Sequence, residues 1–428
     1  MVQHKIYLIT IAFLMLWYTG IGAQSTMSLE ECMQSARENY PLYGNFKHIE
    51  DQLDLRLKNL NANYYPQLDL NAQASHQNDV PHIESSNLPF AVPQGPKDQY
   101  KASVDIQQVI FDAGRTKVAK EVEQVNTDAQ KSSLEVELYK IRSKVIQTYF
   151  LILTIDEQIK LIEYKSTTIE KRLQEIESAV ANGMILASQA DYLKVEVLTI
   201  KQELIRLSEG KKAALKIMET LTGKVISENT DFVEPTGLSQ QQIFIRPEYK
   251  YFNDQRQQIS VMQKMNVKER LPYVAGFGQF GYGNPGFNML KDQLAPFYII
   301  GIKLKWNIWD WKQTSRIKQY FQIQSNRIDL QQSVFDMNID MASRDVNSKI
   351  NQMQKIMDQD DEIIQLRKRI TASSTSQLNN GTITASDYLN DLNMESIALL
   401  SKKLHQLELV KSQIELVDLK GSSVNTKK

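Results

Sequence analysis

The sequence has little of what most enzymes and compact domains depend on. Its 428 residues hold a single cysteine, Cys32. One thiol excludes an intramolecular disulfide and a multi-cysteine zinc site. The five histidines never fall at His-x3-His spacing, so no histidine-built metal site is expected. Excess charge of one sign is also missing: 50 Lys and Arg balance 50 Asp and Glu. A nucleic-acid partner, which would call for a basic excess or patch, is therefore not expected. Mean hydropathy is −0.39 and one apolar run approaches the length of a membrane helix, which excludes a polytopic helical membrane protein. There is no Gly-x-Ser-x-Gly, no phosphate loop and no His-Glu-x-x-His, so neither catalytic residues nor a cofactor are expected. Only 11 Pro and 17 Gly leave room for long uninterrupted elements, and 40 Gln suit solvated helix surface.

The N-terminus has the pattern of an export signal over 1–23. Lys5 gives a positive start, Ile6 to Tyr18 is an apolar run of 13 residues, and Gly20-Ile21-Gly22-Ala23 offers a small-residue cleavage site before Gln24. Cys32 lies well past the apolar run and reads as a buried position on the first helix.

The chain matches itself. At a shift of 206, Tyr40-Pro41-Leu42-Tyr43 faces Arg246-Pro247-Glu248-Tyr249, and Tyr65-Pro66 faces Leu271-Pro272. At a shift of 198, Ile110-Phe111-Asp112 faces Ile308-Trp309-Asp310, and Asn182-Gly183 to Ser188 faces Asn380-Gly381 to Ser386. The shift falls by eight across a Pro-rich loop, Gln77 to Asp98, whose counterpart is Gly283 to Pro296. Two repeats are expected, 24–223 and 246–420, joined by a linker at 224–245 and followed by a polar tail at 421–428.

Each repeat reads helix, strand, strand, very long helix, turn, helix. Leu29 to about Asn63 has apolar residues at helical spacing, and Pro66 and Pro272 stop helix and open strands. Alternation of apolar with polar residues predicts strands at 66–76, 99–108, 272–283 and 297–306. Each is about ten residues, enough for a tilted strand to cross a bilayer. From Ala113 to Asn182 there is no proline, and apolar residues recur every three or four positions, as in a coiled-coil seam. About 70 residues at ~1.5 Å each reach ~105 Å. Lys312 to Asn380 repeats that length, and Gly183 and Gly381 stop the two helices. Met337, Met341, Met353 and Met357 read as core filler. Asp360 and Asp361 read as solvated helix surface.

This combination resembles the TolC-like outer-membrane efflux family over almost the whole mature chain. Three motifs carry the resemblance. The strand-to-helix exit Val109-Ile110-Phe111-Asp112-Ala113-Gly114-Arg115 is similar to the family's apolar-x-Phe-Asp-x-Gly-x-Arg pattern. Its second copy keeps Trp309 and Asp310 but has Lys312 in place of the glycine. The helix-turn-helix tips at Gly183 and Gly381 and the strand-opening Pro66 and Pro272 complete the set. The resemblance implies an α+β membrane protein: a homotrimeric 12-stranded β-barrel, four strands per protomer, continued by a periplasmic coiled-coil barrel. It implies an exit duct in the Gram-negative outer membrane. Partners would be outer-membrane lipid, a periplasmic adaptor, and an inner-membrane pump of RND or ABC type, in efflux or type I secretion. Adaptor contacts are expected at the tips, Asn182, Gly183, Ala187, Ser188, Asn380, Gly381, Ala385 and Ser386. An acidic constriction is expected at Asp387, which matches a family position. Asn390 departs from the second acidic position, with Asp391 beside it, and Gln189 stands in the first copy. Crowding of like charges around an axis would raise the Asp387 pKa. The competing class is a structural periplasmic coiled-coil or adaptor protein.

Overall fold

The computed structural model describes residues 26–80, 94–235 and 246–421. The export signal, most of the Pro-rich loop, part of the linker and the tail after 421 lie outside the described residues. No helix among the described residues is long and apolar enough to cross a membrane. The elements in chain order are β1 (Thr26–Met27), α1 (Leu29–Asn39), a 3-10 turn (Pro41–Gly44), α2 (Asn45–Ala62), β2 (Gln67–His76), β3 (Asp98–Phe111), α3 (Arg115–Ala181), α4 (Ala187–Thr222), β4 (Asp231–Phe232), α5 (Pro247–Lys268), β5 (Tyr273–Asn284), β6 (Ala295–Lys305), α6 (Gln313–Asn379) and α7 (Ala385–Lys420).

These elements form two compact units, and neither coincides with a sequence repeat. One takes the described parts of 26–43, 136–246 and 336–421; the other takes 44–135 and 247–335. Both halves of the chain therefore contribute to each unit, and α3 and α6 each supply residues to both.

The sheet-bearing unit holds four antiparallel strands in the order β2-β3-β5-β6. Register places Leu70, Val104 and Phe280 in a row, and Gly278 opposite Ile106 and Ile300. One face is thus mainly Leu, Val, Ile, Ala, Gly and aromatic, with a His76–Asp98 pair at one end, yet it is open: Leu70 is 80% and Ile302 73% exposed. Burying such a face elsewhere would be strongly favourable, at roughly 25 cal/mol per Å². Among the described residues, strands β2 and β6 each pair on one side only. Beside the sheet, Val118 and Val125 of α3 pack with Val261 of α5. Arg56 pairs with Glu123 and Lys131 with Glu50, tying α2 to α3.

The other unit, helical apart from the β1–β4 pair, has two cores among the described residues. One centres on Tyr149, Val145, Ile146 and Ile152 of α3, with Cys32 and Met33 of α1 and Met218 of α4. Tyr149 is fully buried, and its hydroxyl lies 2.9 Å from the Met27 carbonyl and 2.7 Å from that of Val233, pinning the short β1–β4 pair. The other core joins Ile169 and Ile176 of α3, Leu193 and Ile200 of α4, and Tyr388, Leu389 and Leu392 of α7. Gly223 ends α4 with φ +70, and a Cβ there would collide with the Asn39 side chain, whose amide donates to Thr220 and Leu221 carbonyls.

Four expectations are corrected. The helix expected from 29 to 63 is interrupted at Pro41, which lacks an N–H and forces the chain through a 3-10 turn. Asp360 is 5% exposed, not solvated, because its carboxylate pairs with His405 Nδ1 at 2.9 Å; Asp361 is exposed and pairs with Lys402. Met337 and Met341 are more than half exposed, so within one chain they fill no core. The return helices, which the sequence places from Ser188 and from Ser386, begin one residue earlier, at Ala187 and Ala385.

Candidate functional site

The polar face of the sheet is assembled by the same register that makes the other face apolar. Asn71, Ser103, Asp105 and Gln279 meet there: Asp105 accepts from Asn71 at 2.9 Å, Ser103 at 3.0 Å and Gln279 at 2.7 Å, and Lys101 donates to Gln279 at 3.1 Å. Bare glycines admit rings on this face. Phe297 covers Gly281 and Phe277 covers Gly301, each ring within 2.9 Å of where a Cβ would stand. Such a surface, charged and hydrogen-bonded beside an exposed apolar one, suits water on one side and hydrocarbon on the other.

The two strand-to-helix exits use one design. Asp112 accepts from the amides of Gly114 (2.9 Å) and Thr116 (2.7 Å); Asp310 accepts from those of Lys312 (3.1 Å) and Thr314 (2.9 Å). Each carboxylate thus satisfies otherwise orphaned amides at a helix start. Tyr64 donates to Asp112 at 3.0 Å, and Arg270, its counterpart at the shift of 206, pairs with Asp310 at 3.4 Å. Arg115 anchors the first exit by donating to the Lys268, Glu269 and Leu271 carbonyls. The backbone turns through Ala113 (φ 54) and Gly114 (φ 80) in one exit and Trp311 (φ 51) and Lys312 (φ 62) in the other. The departure at Lys312 therefore leaves the turn intact, at the cost of two non-glycine residues in left-handed conformation. Phe111 and Trp309 are both exposed, with Trp309 edge-on to Trp311 at 5.9 Å. Pro66 and Pro272 each sit immediately before a strand, β2 and β5.

At the tips, Gly183 and Gly381 both take φ +70, with amides donating to Val180 and Leu378 carbonyls. Asn182 donates from its side chain to the Ser178 carbonyl. Asn380, Ser188 and Ser386 are exposed, while Ala385 is fully buried. Met184 and Leu186 of the first tip are 70% and 73% exposed, an apolar pair that no polar or glycine motif signals.

Asp387 is exposed and closes a capping box, accepting from the Thr384 hydroxyl (2.6 Å) and amide (3.0 Å). Within one protomer those bonds hold its carboxyl below the ordinary carboxylate value. Gln189 instead joins the two hairpins: its Oε1 accepts from the Ala385 amide at 2.6 Å. Asp391 accepts from the Ser374 hydroxyl, and Asn390 is exposed. Among the described residues no cluster of three His, Cys, Asp or Glu is placed to hold a metal.

No known family profile matches the chain, and no curated protein matches it in sequence. Solved structures match its fold over nearly its whole length. The Campylobacter jejuni CmeC outer membrane channel aligns at 15% identity and TM-score 0.62, covering 92% of this chain and 85% of that one. The outer membrane protein VceC from Vibrio cholerae aligns at 14% and 0.65, covering 93% and 97%. The open state of the Neisseria gonorrhoeae MtrE outer membrane channel aligns at 14% and 0.62, covering 92% and 89%. The chain therefore has the fold of these outer membrane channels, the TolC-like fold its sequence resembles.

Proposed function

We propose that this protein is the outer-membrane exit duct of a tripartite system, working in efflux or type I secretion. One observation carries the reading: a four-stranded sheet with an exposed apolar face, a hydrogen-bonded polar face and two edges unpaired among the described residues. Open edges are not tolerated in lipid, and four strands are too few to close. Three copies would close a 12-stranded barrel, apolar face to lipid and polar face to a water-filled lumen. The helical unit would form the periplasmic section, entered at the tips. The two matching exits support an internal duplication. An export signal at 1–23 would deliver the chain.

The adaptor would meet the tips, where Met184 and Leu186 add apolar contact area to the Asn-Gly turns. A pump of RND or ABC type would lie beyond it. Heat-modifiable trimers in isolated outer membranes test the core of the reading. A soluble periplasmic monomer would instead favour the adaptor class, against which the placement of strands between helices within each repeat already argues.

Asp387 is our candidate for an acidic ring at the periplasmic constriction. Three carboxylates around a narrow axis concentrate negative potential and should bind polyvalent cations. Single-channel recordings of purified trimers should show trivalent-cation block that Asp387→Ala removes. Block should weaken as pH falls and the carboxylates take up protons; the Thr384 bonds lower the pKa, and crowding of three carboxylates around the axis would raise it. Block unchanged in Asp387→Ala would leave that carboxylate as a helix cap alone.

A further inference from the structure

The loop between β5 and β6 bends over the polar face of the sheet. Gly283 faces that side with Lys101, and the place of its absent Cβ is taken by the Pro285 carbonyl oxygen at 2.9 Å. Two residues on, the Phe287 ring packs against Phe297 at 5.0 Å between centroids. Phe297 belongs to the polar face: it stands opposite Gly281, and Lys101 Nζ lies 4.9 Å over its ring. The loop is held in place. Asn284 donates to Asp292 at 3.0 Å, and Leu290 and Lys291 amides donate to the Asn288 side chain and carbonyl. It also abuts the other strand connection, since a Cβ on Gly95 would lie 2.6 Å from the Met289 carbonyl oxygen, and nearby Val80 is buried. Yet the segment presents large apolar groups to solvent: Phe287 is 56% and Met289 64% exposed.

We propose that this loop makes an apolar constriction at the outer mouth of the duct, one that passes apolar and amphiphilic solutes more readily than hydrated ones. The proposal rests on the reading of the polar face as lumen. Three inward loops, each carrying an aromatic ring and a thioether above a charged and hydrogen-bonded wall, would narrow the mouth with surface that water wets poorly. A narrow apolar section resists hydrated solutes by dewetting, while a polypeptide or amphiphile displaces no favourable contacts there. Met adapts its shape to what passes.

The test is cysteine labelling of the full-length protein in intact cells. The reagent is a hydrophilic maleimide on a polymer too large for general porins. Cys32 gives a silent background, because it is fully buried and burial pushes its thiol up to about 12. The reporter is Gln107→Cys, exposed on the polar face. Adding Phe287→Ser with Met289→Ser should speed labelling severalfold, and adding Phe287→Trp should slow it below the rate with the native loop. Equal rates in all three, with trimers present, overturn the constriction and leave the duct reading intact. If the serine variant yields no trimers, Phe287→Trp alone decides. A Leu70→Cys control reports on the apolar face. Labelling there but not at Gln107→Cys would reverse the assignment of faces and remove duct reading and constriction together.

Discussion

Asp112 and Asp310 show how a single side chain can start a 67-residue helix. Each carboxylate takes two amides that helical geometry leaves without partners. Asp112→Ala should cost about 1–2 kcal/mol in the sheet-bearing unit, as lost caps do. The check is a lower midpoint for heat dissociation of the assembled protein. Asp112→Asn should recover only part, since one carboxylate oxygen becomes a donor facing an amide. Lys312 invites the opposite experiment. Its φ of 62 is strained for any residue with a Cβ, so Lys312→Gly should stabilise by about 1 kcal/mol. Both aspartates were legible as a repeated motif in the sequence. Their work as helix caps was not, because a cap depends on where the helix begins, and element ends are set by tertiary context.

Among the elements, the strands and long helices were legible because their periods are strong: alternation over ten residues, and threes and fours over nearly seventy. The break at Pro41 was equally visible as a residue, but the flanking apolar spacing on both sides suggested one helix. The burial of Asp360 had no local signal, since its partner His405 lies 45 residues away. Glycines in the sheet carry a firmer prediction than those at the tips. Gly281→Ala would drive a methyl into the Ala102 carbonyl and the Phe297 ring, so β3–β5 pairing should fail and assembled protein should vanish from membranes. Gly183→Ala has open space around it, and should cost only the left-handed backbone, about 1 kcal/mol. Gly381→Pro is harsher, because proline cannot reach φ +70 and loses the bond to Leu378. Export should stop while trimers remain in the membrane; wild-type export from that variant would count against the tips as the adaptor contact.

For the molecule as a whole, the two faces of the sheet set the terms of membrane insertion. On the proposed reading Ile302→Lys would place a charge on the lipid-facing side, at about 2–4 kcal/mol per copy near mid-bilayer. Membrane fractions should lose that variant, whereas Lys303→Ile on the polar face should insert. Equal recovery of both would reverse the assignment of lipid and lumen. What would pass through the proposed duct was not legible at this scale. A conduit recognises its cargo through few side chains, and its own fold is specified by periodicity that says nothing of solutes.

The division of the chain into units built from both halves also has a consequence during export. On the proposed reading the chain crosses the inner membrane from its N-terminus, so the first half would emerge without the packing partners of its strands and helices. The hairpin β2–β3 must wait for β5, and the core around Ile169 and Leu193 must wait for Tyr388 and Leu392. For most of its export the protein would then be a long, unfinished client with apolar strands uncovered, the kind of species prone to aggregate. Cells lacking periplasmic holding factors should lose this protein early, and a fragment ending at residue 245 should be degraded rather than accumulate as a stable half.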